Sequence, residues 1–208
     1  MSLARTLWQA NSDLAEAALA HPFVRGIAVG TLEREDFVAY VAQDAFFLDA
    51  FARAYALGLA HSPDRQSLRD FADLLAGVRE ELHLHAEYSE RWGIDLAAVK
   101  PAEVTQSYVD FLLSRAALAD IGLTCAAMTP CLRLYAFLGQ ALAGSERGPY
   151  SDWVTTYADD SFENLAATLE GLLDRHAADT ASTRTTYRRA LQFELAFFSS
   201  AGGATAAP

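Results

Sequence analysis

Cys131 is one of two cysteines in the chain and lies in the run Met128-Thr129-Pro130-Cys131-Leu132-Arg133-Leu134-Tyr135. A cysteine thiolate is a strong nucleophile. On a helix, Tyr135 stands one turn beyond Cys131, so thiol and phenol point the same way. Pro130 removes a helical N–H donor, which can leave backbone groups facing a cavity. A lone cysteine is more often a small core residue, and that plainer reading suits Cys125, which has no aromatic partner of this kind. The two thiols are six residues apart on one helix, separated by roughly 9 Å of rise and 240° of rotation, so they cannot pair as a disulfide. With no Cys-x-x-Cys and no histidine pair nearby, they do not resemble a zinc site.

Two carboxylates interrupt apolar runs. Asp44 precedes Ala45-Phe46-Phe47-Leu48 and shares a helical face with Tyr40, Phe47, Leu48 and Phe51. Glu194 interrupts Leu191-Gln192-Phe193-Glu194-Leu195-Ala196-Phe197-Phe198. A desolvated Asp44 needs hydrogen-bond donors, which an amino-heterocycle or a neighbouring helix would supply. A buried Glu194 has a raised pKa, suiting a group that takes and returns protons near neutrality, although a structural bond to a tyrosine explains burial equally well. Tyr108 and Tyr157 offer rings and hydroxyls to a ligand or to ordinary packing. Glu80, Glu81, His83 and His85 raise the question of metal. Glu80 with His83 matches the Glu-x-x-His spacing of di-metal bundles, but the chain has no second such pair, so no metal or other cofactor is expected.

These residues need long helices to position them. Strand signals are almost absent, and apolar residues recur at three and four spacing, which predicts an all-α chain. A first helix is expected from about Leu3 to Ala20, ending before Pro22, and a short one to Val29, stopped by Gly30 with Thr31 as the next N-cap. Further helices are expected from about Glu33 to Ala60, Arg65 to Trp92, Ala102 to Leu118 with Gly122 as the following break, and Leu123 to Leu142. The last of these is apolar along its length and kinked at Pro130, reading as a central buried helix that walls a pocket. Shorter helices near Tyr150 to Thr156, Asp160 to His176 and Thr183 to Ser200 complete the pattern.

With 208 residues, 52% hydrophobic and 21% charged, the chain reads as a single domain, residues 1–208, with a frayed tail from about 203 to 208. A formal net charge of −11 and the absence of a basic cluster argue against nucleic acid and anionic membranes as partners. No apolar run reaches the roughly 20 uninterrupted residues of a membrane span. The opening residues lack the basic start and apolar core of a secretory signal, so a cytoplasmic location is expected.

In order and spacing, several motifs resemble the TenA/thiaminase II family over nearly the whole chain. They are His21-Pro22-Phe23-Val24-Arg25-Gly26-Ile27-Ala28-Val29-Gly30-Thr31-Leu32, then Gln43-Asp44 before an aromatic pair, then Glu81, His85, Tyr88 and Gly93-Ile94, and the run around Cys131. The resemblance implies a haem-oxygenase-like helical bundle, a homotetramer, and hydrolysis of a small-molecule aminopyrimidine or of thiamin without a cofactor. It also implies roles: Cys131 the nucleophile, Glu194 the acid/base, Asp44 the carboxylate that holds the aminopyrimidine, and Tyr108, Tyr135, Tyr157 and Phe197 pocket residues. Phe47 departs from the tyrosine many members carry there, keeping a ring and losing a hydroxyl. The expected activity is that of an aminopyrimidine aminohydrolase, a C–N hydrolase of thiamin salvage. Two other readings stand beside it: a non-catalytic pyrimidine- or thiamin-binding regulatory protein, and a helical di-metal oxidase using Asp44, Glu81, His85 and Glu194.

Overall fold

The computed structural model describes residues 2–95, 98–144 and 148–201, and the side chain of Leu84 is outside that description. The tail expected to fray lies outside the described residues. Among the described residues the secondary structure is helical throughout: α1 (Leu3–Gln9), α2 (Ser12–Ala20), α3 (Pro22–Val29), α4 (Arg34–Ala60), α5 (Arg65–Trp92), α6 (Glu103–Leu118), α7 (Ile121–Leu142), α8 (Ser151–Ala158), α9 (Asp160–His176) and α10 (Ala181–Ala201). α7 runs through the middle, packed by α8, α9 and α10, while α4 lies against α5 and α6.

Three boundaries differ from those expected, each for a local reason. The first helix divides because the Asn11 amide donates 2.8 Å to the carbonyl of Leu7 and its oxygen accepts from Arg188, competing with the helical ladder. Thr31 closes α3 rather than opening α4. Gly30 is left-handed at φ 71°, and the Thr31 N–H returns 2.9 Å to the carbonyl of Gly26, while the extended Glu33 caps α4. Gly122 lies inside α7, whose N-cap is Asp120, accepting from Leu123 N–H at 2.9 Å. A β-carbon at Gly122 would come within 2.5 Å of the His176 carbonyl oxygen, so the glycine serves helix packing.

α7 is the central helix foreseen, and it continues through Pro130. Its 22 residues, with a mean hydropathy of 1.4 over the most apolar stretch, are long and apolar enough to cross a membrane, correcting the expectation that no segment is. It is 72% buried inside the protein over its most apolar stretch, which makes it a core helix. Its one charged side chain, Arg133, is held by both Glu170 oxygens at 2.8 and 2.9 Å and by Glu163 at 2.8 Å, fastening α7 to α9.

The other end of α7 is set by a close approach. A β-carbon at Gly139 would lie 2.2 Å from the carbonyl carbon of Tyr157, where α8 ends. Only a residue without a side chain lets α7 and α8 meet so closely. Gly139→Ala is therefore expected to cost about 1–3 kcal/mol by overpacking and to lower Tm by several degrees in thermal denaturation; an unchanged Tm would show that the two helices separate freely.

Candidate active site

A narrow cleft opens between α4, α5, α7, α8 and α9. Its wall includes Asp44, Phe47, Phe51 and Tyr55 from α4, Val78 and Glu81 from α5, Cys131 and Tyr135 from α7, and Tyr157 from α8. The helical period explains the grouping: Asp44, Phe47, Phe51 and Tyr55 recur at three and four spacing along one face, as do Cys131 and Tyr135. Cys131 and Glu81 are partly exposed to the cleft, whereas Asp44 and Glu194 are buried. Cys125 lies fully in the core and takes no part.

Behind Cys131 stands Glu194 on α10. It accepts a 2.6 Å hydrogen bond from the Tyr108 hydroxyl on α6, and the Cys131 thiol faces it as a second donor. Burial pushes the Glu194 carboxyl up to about 7, an effect that Tyr108 and the thiol oppose and the charge of Asp44 reinforces. The thiol is pushed well above the ordinary cysteine range by burial and by the negative charge of Glu194, Glu81 and Asp44. Cys131 is therefore a protonated thiol beside a base whose pKa lies near neutrality.

On the opposite side, Glu81 accepts 2.7 Å from the Tyr157 hydroxyl. Burial, then the charge of Asp44, raises its carboxyl to about 7 against the lowering influence of Tyr157 and His85. His85 Nε2 lies 3.0 Å from Asp44 Oδ2 with both side chains almost fully buried. Burial disfavours the imidazolium, but the adjacent Asp44 outweighs it and raises the His85 pKa. The contact is a buried ion pair, and apart from His85 the Asp44 Oδ2 atom has no donor among the described residues.

Tyr135 is fixed from outside. Trp153 Nε1 donates 3.2 Å to the Tyr40 hydroxyl, which donates 3.2 Å to Tyr135, leaving the Tyr135 proton available to the cleft.

The residues singled out from sequence thus fall into two layers. Asp44, Phe47, Cys131, Tyr135 and Tyr157 line the cleft. Tyr108 and Glu194 form the layer behind Cys131, and Phe197 packs behind Phe47 at 6.1 Å between ring centroids. Glu81 and His85 were weighed only as metal ligands or family matches, yet both belong to the polar centre. Glu80 and His83, whose spacing raised the question of metal, are 70% and 76% exposed, whereas the i,i+4 pair Glu81 and His85 faces inward.

Asp44, Glu81 and His85 offer oxygen and nitrogen atoms all within 4.8 Å of one another. Each already has a partner in this protein, and Glu194, the fourth ligand of the di-metal alternative, stands outside the cluster beside Tyr108. The donor set is that of a proton-transfer and hydrogen-bonding site more than of a two-metal centre.

Residues 8–203 match the TENA/THI-4/PQQC family pattern. An aminopyrimidine aminohydrolase from Halalkalibacterium halodurans is 35% identical over 190 residues, covering 88% of this chain and 85% of that protein. The crystal structure of a protein from a Silicibacter species, described as a TenA family transcription regulator, superposes with a TM-score of 0.90 at 26% identity, covering 97% of each chain. Haem oxygenase-1 of the cyanobacterium Synechocystis superposes with a TM-score of 0.65 at 19% identity, covering 96% of this chain and 92% of that one, which establishes a haem-oxygenase-like fold.

The raised carboxyl of Glu194 has a consequence for stability. A folded-state pKa near 7 against an ordinary 4.5 means that its contribution is fully present below pH 4.5 and is lost as pH rises through about 7. Glu194→Gln cannot ionise. Thermal denaturation across this range is expected to show the variant gaining on the wild type as pH rises, and parallel profiles would mean that Glu194 titrates normally.

Proposed function

Because the chain belongs to the TENA/THI-4/PQQC family, we propose that its cleft hydrolyses the exocyclic C–N bond of 4-amino-5-aminomethyl-2-methylpyrimidine, and also accepts thiamin. The product is 4-amino-5-hydroxymethyl-2-methylpyrimidine, used in thiamin salvage. The observation that carries this reading is the order Tyr108–Glu194–Cys131 at the edge of a cleft whose other wall holds the buried Asp44 carboxylate, backed by His85.

Asp44 accepts hydrogen bonds from the amino edge of the ring and favours positive charge on it, while Phe47, Tyr135 and Tyr157 confine the ring. Glu194 takes the thiol proton as the sulfur of Cys131 bonds to an electron-poor ring carbon. The electron pair displaced into the ring expels the exocyclic nitrogen with its bonding pair. Water bonds to the methylene carbon and gives up one proton, to the departed ammonia or, after cleavage of thiamin, to solvent. The sulfur then leaves with its own pair, the ring is restored, and Glu194 returns the proton to Cys131. Beyond substrate and water, these steps use only groups of this chain, and no cofactor enters the scheme.

Phe47 supplies a ring face without the hydroxyl that a tyrosine would bring. Its packing against Tyr108, with ring centroids 4.7 Å apart, supports a role in shaping the wall. A homotetramer is the form suggested by the family resemblance.

Cys131→Ala is expected to reduce turnover of both substrates by at least about 1,000-fold while leaving the fold intact. Product formation by the purified wild type and variant is the deciding assay. Undiminished hydrolysis by Cys131→Ala would rule out the thiol as nucleophile, and a wild type that binds the pyrimidine without turnover would make the protein a binder.

A further inference from the structure

The cleft contains one more acid than the scheme above employs. Glu194 serves Cys131 and Asp44 serves the amino edge of the ring, but Glu81 also faces the cleft and, unlike them, is partly exposed to it. An oxygen of its carboxylate lies within 4.8 Å of an oxygen of Asp44 and a ring nitrogen of His85. On the proposed substrate the 4-amino group and the 5-methylene hang from adjacent ring carbons. A ring held by Asp44 through its amino edge therefore presents the group on its methylene to the acid beside Asp44.

We propose that Glu81 receives the exocyclic ammonium of the substrate and so makes the cleft selective for an aminomethylpyrimidine over thiamin. This rests on the pyrimidine-hydrolase reading above. The ammonium offers N–H donors to the carboxylate in a largely desolvated place, a charge-assisted hydrogen bond. The corresponding nitrogen of thiamin belongs to the thiazolium ring and has no N–H, so it brings charge without a hydrogen bond. Glu81 stands ready for this task because Tyr157 fixes one oxygen at 2.7 Å and the side chain keeps access to the cleft. The groups facing it are Asp44, whose charge raises its pKa, His85 and Tyr157, which lower it, and Cys131. An arriving ammonium adds positive charge and favours the ionised carboxylate. When the C–N bond breaks, the nitrogen departs as ammonia carrying protons it already holds.

The test is kcat/KM of the wild type and Glu81→Gln for the aminomethylpyrimidine and for thiamin. The amine substrate is expected to lose about 10- to 100-fold, and thiamin about 3-fold or less. Equal losses, or an unaffected amine substrate, would overturn the proposal. Should thermal denaturation show that Glu81→Gln does not fold, the folded Cys131→Ala protein answers the same question. Its Kd for the aminomethylpyrimidine is compared with that for the 5-methyl analogue, which lacks the exocyclic nitrogen, at about pH 7.5 and pH 5.5. The amine should bind about 10-fold tighter at the higher pH and lose most of that advantage at the lower one, where Glu81 is protonated. Equal affinities at pH 7.5 would overturn the proposal. Wild type that turns over neither substrate would defeat the hydrolase reading, and the affinity comparison would still decide the role of Glu81.

Discussion

The cleft depends on keeping three carboxylates and a thiol largely out of water with a single imidazole to balance them. An isolated buried carboxylate costs several kcal/mol, so each must find a donor or remain protonated. Asp44 has His85, Glu81 has Tyr157, and Glu194 has Tyr108 with the thiol. Donors of this kind do not offset the burial of Glu81 and Glu194, and both rise to about 7. The two acids closest to the reactive end of the cleft therefore sit where proton exchange is easiest at physiological pH.

This requirement sets which helices must meet. Every pairing joins a different two: α4 to α5 through Asp44 and His85, α5 to α8 through Glu81 and Tyr157, α6 to α10 through Tyr108 and Glu194. None of these contacts is local in sequence, so the polar centre exists only in the assembled bundle. α7 carries Cys131 into that centre and must be placed along its length. Arg133 fastens its middle to α9, and Gly139 brings its later turns against the backbone of Tyr157. A shift of α7 would move thiol and tyrosine together.

The helices themselves were legible because apolar periodicity is a property of each segment alone. Their boundaries failed where a side chain or a neighbouring helix overrode local preference, as at Asn11, Thr31 and Gly122. In the candidate site, Asp44 and Glu194 were legible because each interrupts an apolar stretch, and Cys131 stood out by its place after Pro130 and one turn before Tyr135. The face carrying Glu81 and His85 was harder to read. α5 places Glu80, Glu81, His83, His85 and Glu87 in close succession, and the chain offers no local sign of which turn inward. Only the partners Asp44 and Tyr157, distant in sequence, separate the buried pair from the solvated one.

The protonation of Cys131 gives the site a form of control. The thiol is held well above its ordinary pKa by burial and by the surrounding acids, while Glu194 lies at about 7, so transfer of the thiol proton to Glu194 is uphill without a ligand. A ring that accepts positive charge beside Asp44 and electron density from sulfur reverses that balance, since the developing negative charge passes into the ring as the bond forms. On the mechanism proposed above, the nucleophile is thus generated by the substrate that consumes it. A neutral thiol also resists oxidation better than a thiolate, because the thiolate is the species oxidants attack. The same burial that keeps the Cys131 thiol protonated at rest therefore also protects it from oxidation between turnovers of the proposed reaction.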